Sequence, residues 1–473
     1  MSFTIKQAVS PTPTGYEVVD LYIEGETIEA IAPDLAPKGT VIDGSRHLVL
    51  PGFVNAHTHS PEVWQRGAIG AYPLELWLTE LYAISSLTLE HIYLSAIATG
   101  VETLLSGGTT VVDHLILLPG QELETIAAAV RGYQAVGIRA FIGPLIYDQH
   151  PDAGIPKGDK DWQPGEGPMS TAAILEILEV AVQRFHRPEA GISMMTAPTG
   201  LQLCSDQLFR GCVELSDRHN LCRHTHLLET KAQQKLAQEQ YGCSAVAHLQ
   251  NLGFLSSRTS LAHCVWLDDA DIAILAATGA TVVHNPLSNL RLGSGIAPVL
   301  RYRAAGVNVT FGCDGSASND GQDLLEAIKI GMMLHNITDP DYRHWLTPRQ
   351  VVEMAALGGA RGLNGGDKYA IADRLGTLHI GQQADLVLYD LQTLSLLPKT
   401  DPLGLLVMGR PTNAVAHSWV RGEQIIAGGK PTRLELDQLC ADLDRLSLGA
   451  IQRPSPGLIP VEAHYRQVMG LPS

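Results

Sequence analysis

The sequence predicts an α/β protein: a closed (β/α)8 TIM barrel with a small β-sandwich domain formed by both chain ends. Three observations predict it. Eight short apolar runs alternate with helix-length segments between residues 51 and 374, and eight βα units are what barrel closure requires. Ionisable residues close five of those runs, at the strand ends where such barrels carry their active sites. Strand-rich sequence flanks the barrel on both sides, so the economical arrangement joins residues 1–50 and 375–430 in one β domain. Residues 51–374 then form the barrel, and 431–473 a helical tail.

Residues Glu17–Ile23 and Thr27–Ala32 alternate in strand fashion around the Glu24-Gly25-Glu26 turn. Leu48-Val49-Leu50 leads through Pro51-Gly52 into Phe53-Val54, the first barrel strand. The next seven runs are 109–113, 139–143, 191–195, 221–226, 260–263, 281–284 and 307–312. Strands return at 375–378 and 384–389, and a helix is expected over Leu434–Leu446.

Composition narrows the function. The 473 residues are 45% apolar and 17% charged, which marks a globular chain. With 33 basic against 49 acidic residues, the net charge of −16 argues against nucleic acid or an anionic membrane as partner. The start lacks the basic and apolar regions of a signal peptide, and no apolar stretch approaches the ~20 residues of a membrane span. Seven scattered cysteines without CxxC pairing fit a reduced, cytoplasmic protein. A homo-oligomer acting on a small molecule is expected.

The first strand ends in His57 and His59. Residues two apart on a strand share a face, so both imidazoles enter one space. Alone, such a pair is more often packing than metal. The fifth strand, however, ends in His224-Thr225-His226 with Glu229 beyond, the sixth in His263, the seventh in His284 and the eighth in Asp314. His57, His59, His226 and Asp314 make an N3O set suited to Zn2+, with room for water. His226 is preferred to His224 because it lies nearer the strand end; His224 would pack one layer deeper.

Pro51-Gly52-Phe53-Val54-Asn55-Ala56-His57-Thr58-His59 resembles the first metal motif of the amidohydrolase superfamily. His226-Leu227-Leu228-Glu229, Ala262-His263-Cys264-Val265, the stretch from His284-Asn285-Pro286 to Leu290, and that from Asp314-Gly315-Ser316 to Asn319 resemble its later motifs. Gly381–Val387 is similar to that superfamily's closing β strand. In combination these resemble the subgroup of S-adenosylhomocysteine/methylthioadenosine deaminases, guanine-type deaminases and triazine hydrolases.

The resemblance implies one divalent metal per chain on His57, His59, His226 and Asp314, zinc being expected and Fe2+ or Mn2+ the alternatives. Neither 191–200 nor 139–148 contains the lysine that bridges two metals in binuclear relatives. It further implies proton transfer by Asp314, polarisation or holding of the attacked centre by His263, and general acid/base work by Glu229. The activity implied is hydrolytic deamination of an amino-substituted purine, pterin, pyrimidine or triazine. The alternatives are deamination of adenosine derivatives, or displacement of chloride or alkylamine from a triazine-like ring. A non-catalytic scaffold is disfavoured because every ligand position is retained.

Nucleoside-handling relatives carry a Glu nine residues after a first-loop Trp, where this chain has Ser86 after Trp77, and a Pro-His pair where it has Pro198-Thr199. A free base or small heterocycle is therefore expected over its nucleoside, although Glu80 or Glu90 could reach the same space from a shifted helix. Trp64, Gln65, Trp77, Tyr147, Gln149, Gln202 and His263 are the candidate pocket residues.

Overall fold

The computed structural model describes residues 2–83, 87–156, 167–364, 371–449 and 454–472. Eight parallel strands form the barrel: β6 (Phe53–Thr58), β7 (Gly108–Ile116), β8 (Arg139–Ile146), β9 (Ile192–Pro198), β10 (Cys222–Leu227), β11 (Thr259–His263), β12 (Thr281–His284) and β13 (Val309–Phe311). They pair in chain order with helices between them, as a parallel sheet covered on its outer face demands. The helices begin on side-chain caps such as Ser205, Thr230 and Ser244. They end on left-handed residues such as Gly137, Asn220 and Gly279.

The seam between β13 and β6 is crossed at the site itself. The Asp314 N–H donates to the His57 carbonyl at 2.8 Å, and the Cys313 N–H to Asn55 Oδ1 at 2.9 Å. Gly312 permits this approach, since a Cβ there would lie 2.9 Å from that of His57. The first and eighth strand ends are thus fastened together by backbone.

The two chain ends share one nine-stranded sheet that curls around its own core. Its first part is β1 (Ser2–Thr12), β2 (Gly15–Glu24), β3 (Thr27–Ala32), β4 (Thr40–Asp43) and β5 (His47–Pro51). Its second is β14 (Leu386–Asp390), β15 (Val415–Val420), β16 (Glu423–Ala427) and β17 (Lys430–Pro431). The strand β5 lies between β1 and β14, so it joins the two halves. Its alternation is informative. Val49 enters the sheet's own core with Leu21, Leu386 and Trp419, whereas Leu48 and Leu50 enter the main core with barrel and helix residues.

Beyond the sheet, the expected tail helix spans Leu436–Arg445 and a further helix spans Leu458–Val468. The latter packs Leu458 and Tyr465 against Leu76 and Ala232. Just before it, the Ser455 N–H and Oγ–H both donate to Glu80 Oε1, at 2.8 and 2.6 Å. Among the described residues no helix is long and apolar enough to cross a membrane.

Arg139, at the start of β8, is buried and donates through Nη2 to Asp385 Oδ2 and Gln383 Oε1, each at 2.7 Å. Removing one partner of a buried pair strands the other charge in a low dielectric. Asp385→Ala is therefore expected to cost about 3–5 kcal/mol of stability. Denaturant unfolding checks this; a loss within that of a surface substitution would show the pair to be idle.

Candidate active site

The backbone marks the site before any side chain does. Leu228, His263, Cys264 and Asp314 have φ of +45°, +73°, +49° and +64°, in the left-handed region that side chains disfavour. All four lie at barrel strand ends around one mouth. Such strain persists where the surrounding structure over-determines it, and it clusters at functional positions.

Six imidazoles meet there, those of His57, His59, His114, His224, His226 and His263, and hydrogen bonds assign most of their protons. His59 Nδ1 lies 2.7 Å from the His114 carbonyl, and His226 Nδ1 lies 2.6 Å from the Thr199 carbonyl. A carbonyl can only accept, so both Nδ1 atoms carry hydrogen, and in the neutral rings both Nε2 atoms present lone pairs. Those two Nε2 atoms face each other at 3.1 Å. His57 Nδ1 is 2.8 Å from His224 Nε2, and His224 Nδ1 is 2.7 Å from Ser260 Oγ, so His224 lies directly behind His57. His57 Nε2, buried and without a hydrogen-bond partner, sits 3.2 Å from Asp314 Oδ1; His59 Nε2 is 3.5 Å from the same oxygen.

Burial dominates the electrostatics. It pushes the His57 imidazole down to about 4 against the pull of Asp314. It also holds His114, His224 and His226 well below the usual imidazole range, helped by their mutual repulsion. For Asp314 burial acts upward, but the surrounding imidazoles outweigh it and hold the carboxyl well below its usual range. His57, His114, His224 and His226 therefore set neutral imidazole beside the Asp314 carboxylate.

His263 is oriented by Nδ1 against Asn289 Oδ1 at 2.9 Å, and its Nε2 faces Glu229 Oε2 at 3.5 Å and Asp314 Oδ2 at 3.7 Å. Burial raises the Glu229 carboxyl to about 7, with His263 opposing and Asp314 assisting; Oε1 accepts from Ser294 Oγ at 3.1 Å. The side-chain donors and acceptors suit a divalent cation, with proton-transfer groups beside it.

A cleft of about 700 Å3 opens over these groups. Gln65, Trp77, Tyr147, Gln202 and His263 line it, as do His59, His226, Glu229 and Asp314. Two expected pocket residues do not. Trp64 turns away, its indole N–H donating to the His91 carbonyl and Ser95 Oγ at 3.1 and 2.8 Å. Gln149 is drawn instead to Asp148, Nε2 to Oδ1 at 3.4 Å, and its backbone N–H to the Leu203 carbonyl. Neither Glu80, bound to Ser455, nor Glu90, paired with Arg445, reaches the cleft. Ser86 lies outside the described residues. His284, though at a strand end, is buried against Phe311 and His335 and not in the cluster.

Two residues join the site without having been singled out in the sequence. His114 stacks on His226 with ring centroids 4.8 Å apart; its Nε2–H donates to the Ala197 carbonyl at 3.0 Å. It falls within the group of close imidazoles formed by His57, His59 and His226. Extending the second strand past Asp113 would have found it. Glu62, in the turn Ser60–Gln65, lines the cleft and accepts from the Ala317 N–H at 3.2 Å. Burial lifts its carboxyl to about 7, with His59 acting against the shift. Gly315 makes room for it, since any Cβ there would collide with the carboxylate.

Residues 48–425 match the Amidohydrolase family. The chain belongs to that family. It is 31% identical to a 5-methylthioadenosine/S-adenosylhomocysteine deaminase of Desulforudis audaxviator, over 92% of this chain and 95% of that one. Among solved structures it is similar to an adenosine deaminase from Xanthomonas campestris with bound zinc. That match has a TM-score of 0.81 and 25% identity, covering 93% of this chain and 97% of that one. It is likewise similar to atrazine chlorohydrolase from Arthrobacter aurescens in complex with zinc. There the TM-score is 0.85 and the identity 25%, over 94% and 99% of the two chains. The barrel with its composite sheet is thus the amidohydrolase arrangement; the motifs with His57, His59, His226, Glu229, His263 and Asp314 fall at the barrel mouth, and Gly381–Val387 falls in the sheet domain.

The turn that carries Glu62 and Gln65 hangs on Asp113. Its Oδ1 accepts from the Ser60 N–H at 3.0 Å, and its Oδ2 from Ser60 Oγ and Tyr133 Oη at 2.6 and 2.8 Å. Asp113→Ala leaves three buried donors without a partner and is expected to cost about 2–4 kcal/mol. Tyr133→Phe removes one of those bonds and should cost about 1 kcal/mol. Urea unfolding of both variants checks the order; equal losses would show the two Ser60 bonds to be energetically silent.

Proposed function

We propose that the protein is a metal-dependent hydrolytic deaminase of an amino-substituted nitrogen heterocycle of purine, pterin, pyrimidine or triazine type, releasing ammonia. The observation that carries the metal is the pair of opposed lone pairs. His59 Nε2 and His226 Nε2 have each given their ring hydrogen to the far side, yet they face each other at 3.1 Å. A divalent cation held by both nitrogens would turn that repulsion into attraction. The buried, unpartnered His57 Nε2 and the Asp314 carboxylate complete an N3O set, which suits zinc.

In this reading His57, His59, His226 and Asp314 hold one ion, and His224 fixes His57 from behind through a neutral-imidazole relay ending on Ser260. His114 acts beneath them, its backbone carbonyl orienting His59 and its ring packing under His226. A bound divalent ion would supply Lewis acidity, lowering the pKa of water toward ~7. Asp314 takes a proton from the attacking water at its carboxylate. His263, held by Asn289, orients the attacked carbon's substituent. Glu229, dry and beside His263, protonates a ring nitrogen and passes a proton to the leaving amine. An amine leaves only once protonated, so a buried carboxyl at this place favours ammonia over chloride as the departing group. The names of the similar deaminases support the same choice.

Two experiments test this. Elemental analysis of the gently purified protein should find one divalent metal per chain, zinc first; two or none would refute the site. An ammonia-release screen across aminated purines, pterins, pyrimidines, triazines and adenosine derivatives should find turnover. Asp314→Asn and Glu229→Gln should each lower it about 10²- to 10⁴-fold with the fold intact by circular dichroism. A variant keeping a tenth of the activity would remove that residue from the mechanism. His224→Ala should weaken metal binding about 10- to 100-fold, as loss of a partner behind a ligand does.

A further inference from the structure

The cleft is divided in its chemistry. At the strand ends its floor is polar, with His59, Glu62, Glu229, His263 and Asp314. Its outer wall is built from the helix Leu74–Tyr82, the segment after β7, the helix Thr171–Phe185 with the residues just before it, and the loop after β9. That wall presents Leu78, Leu81, Leu118, Met169, Ile177 and Leu203. Four carboxyl groups line the cleft, Glu62, Glu122, Glu229 and Asp314, and among its described lining residues there is no lysine or arginine.

From this we propose that the substrate is a heterocycle carrying a sizeable, uncharged, apolar substituent, with the ring on the polar floor and the substituent along the outer wall. The inference rests on the deaminase reading for the ring and on the cleft alone for the substituent. Size supports it, since about 700 Å3 is the volume of a site for a drug-sized ligand, well beyond a bare one- or two-ring base. A free base would leave the apolar wall wet. Each methylene laid on that wall leaves water and strengthens binding several-fold. Charge supports it too. A phosphate or carboxylate on the substituent would enter a space already holding carboxylates, with no lysine or arginine among its described lining residues to pair it. Nucleotides and acid-bearing side chains are thereby disfavoured by the same residues that favour hydrocarbon.

The test uses adenine, 9-hexyladenine and 9-(5-carboxypentyl)adenine, together with 2-amino-1,3,5-triazines bearing hydrogen, hexyl or 5-carboxypentyl. The full-length metal-loaded protein is assayed for ammonia release, and dissociation constants of all six compounds are measured with Glu229→Gln by calorimetry. On at least one ring the hexyl compound should exceed the bare ring at least tenfold, and the carboxypentyl compound at least a hundredfold, in kcat/KM or in affinity. Equal values, a preference for the carboxylate, or no binding of either hexyl compound would overturn the proposal. Hexyl preference in binding without ammonia release would instead refute the deaminase reading and leave this one standing.

Discussion

Two imidazole nitrogens held 3.1 Å apart on the floor of the cleft are the constraint on which the site turns. His59 and His226 are fixed in this opposition because the carbonyls of His114 and Thr199 take their ring hydrogens. Protonating His226 would relieve the contact, but burial and the neighbouring imidazoles resist it. The geometry is therefore costly without a cation and favourable with one. Its precision comes from the barrel, since the strands that carry His57, His226 and Asp314 must be in register for these side chains to meet. The left-handed backbone at His263 and Asp314 is part of that cost, set against the backbone bond from Asp314 to His57.

Much of this was legible in the sequence because strand ends carry a simple code. Alternation puts His57 and His59 on one face and makes His226 the outer of its pair, and the short runs before His263 and Asp314 are largely apolar. What escaped was where a strand or turn had to be followed further. His114 lies one residue past the point at which the apolar run of the second strand stops reading as a strand. Glu62 sits in a short turn whose direction is set by Asp113, far from it in sequence. Trp64 and Gln149 show the opposite error. Both are polar-tipped residues near the mouth, but nearby partners, Ser95 for one and Asp148 for the other, decide where they point. Local hydrogen bonds of that kind leave no periodic trace.

The polar floor and the apolar wall of the cleft come from different parts of the repeating unit. Strand ends supply the reacting groups, and the loops and flanking helices supply the shape. In such a barrel the chemistry can stay fixed while the wall is rewritten, which is how one ligand set serves many substrates. Here the helix Leu74–Tyr82, which bears Trp77, is braced from outside by the C-terminal helix and by the Ser455 contact to Glu80. The C-terminal helix thus leans on the wall of the cleft and not on the histidine cluster.

The position of β5 has a consequence for how the chain emerges from the ribosome. One edge of this strand pairs with β1, which is already made, whereas the other pairs with β14, more than 330 residues later. While the barrel is being synthesised, the strand that leads directly into His57 has an open row of peptide groups and the apolar side chains of Leu48, Val49 and Leu50. An unpaired strand edge of this sort invites association with other chains. The nascent protein must shelter it, by transient contacts or by a chaperone, until residues 386–390 have cleared the exit tunnel and closed the sheet.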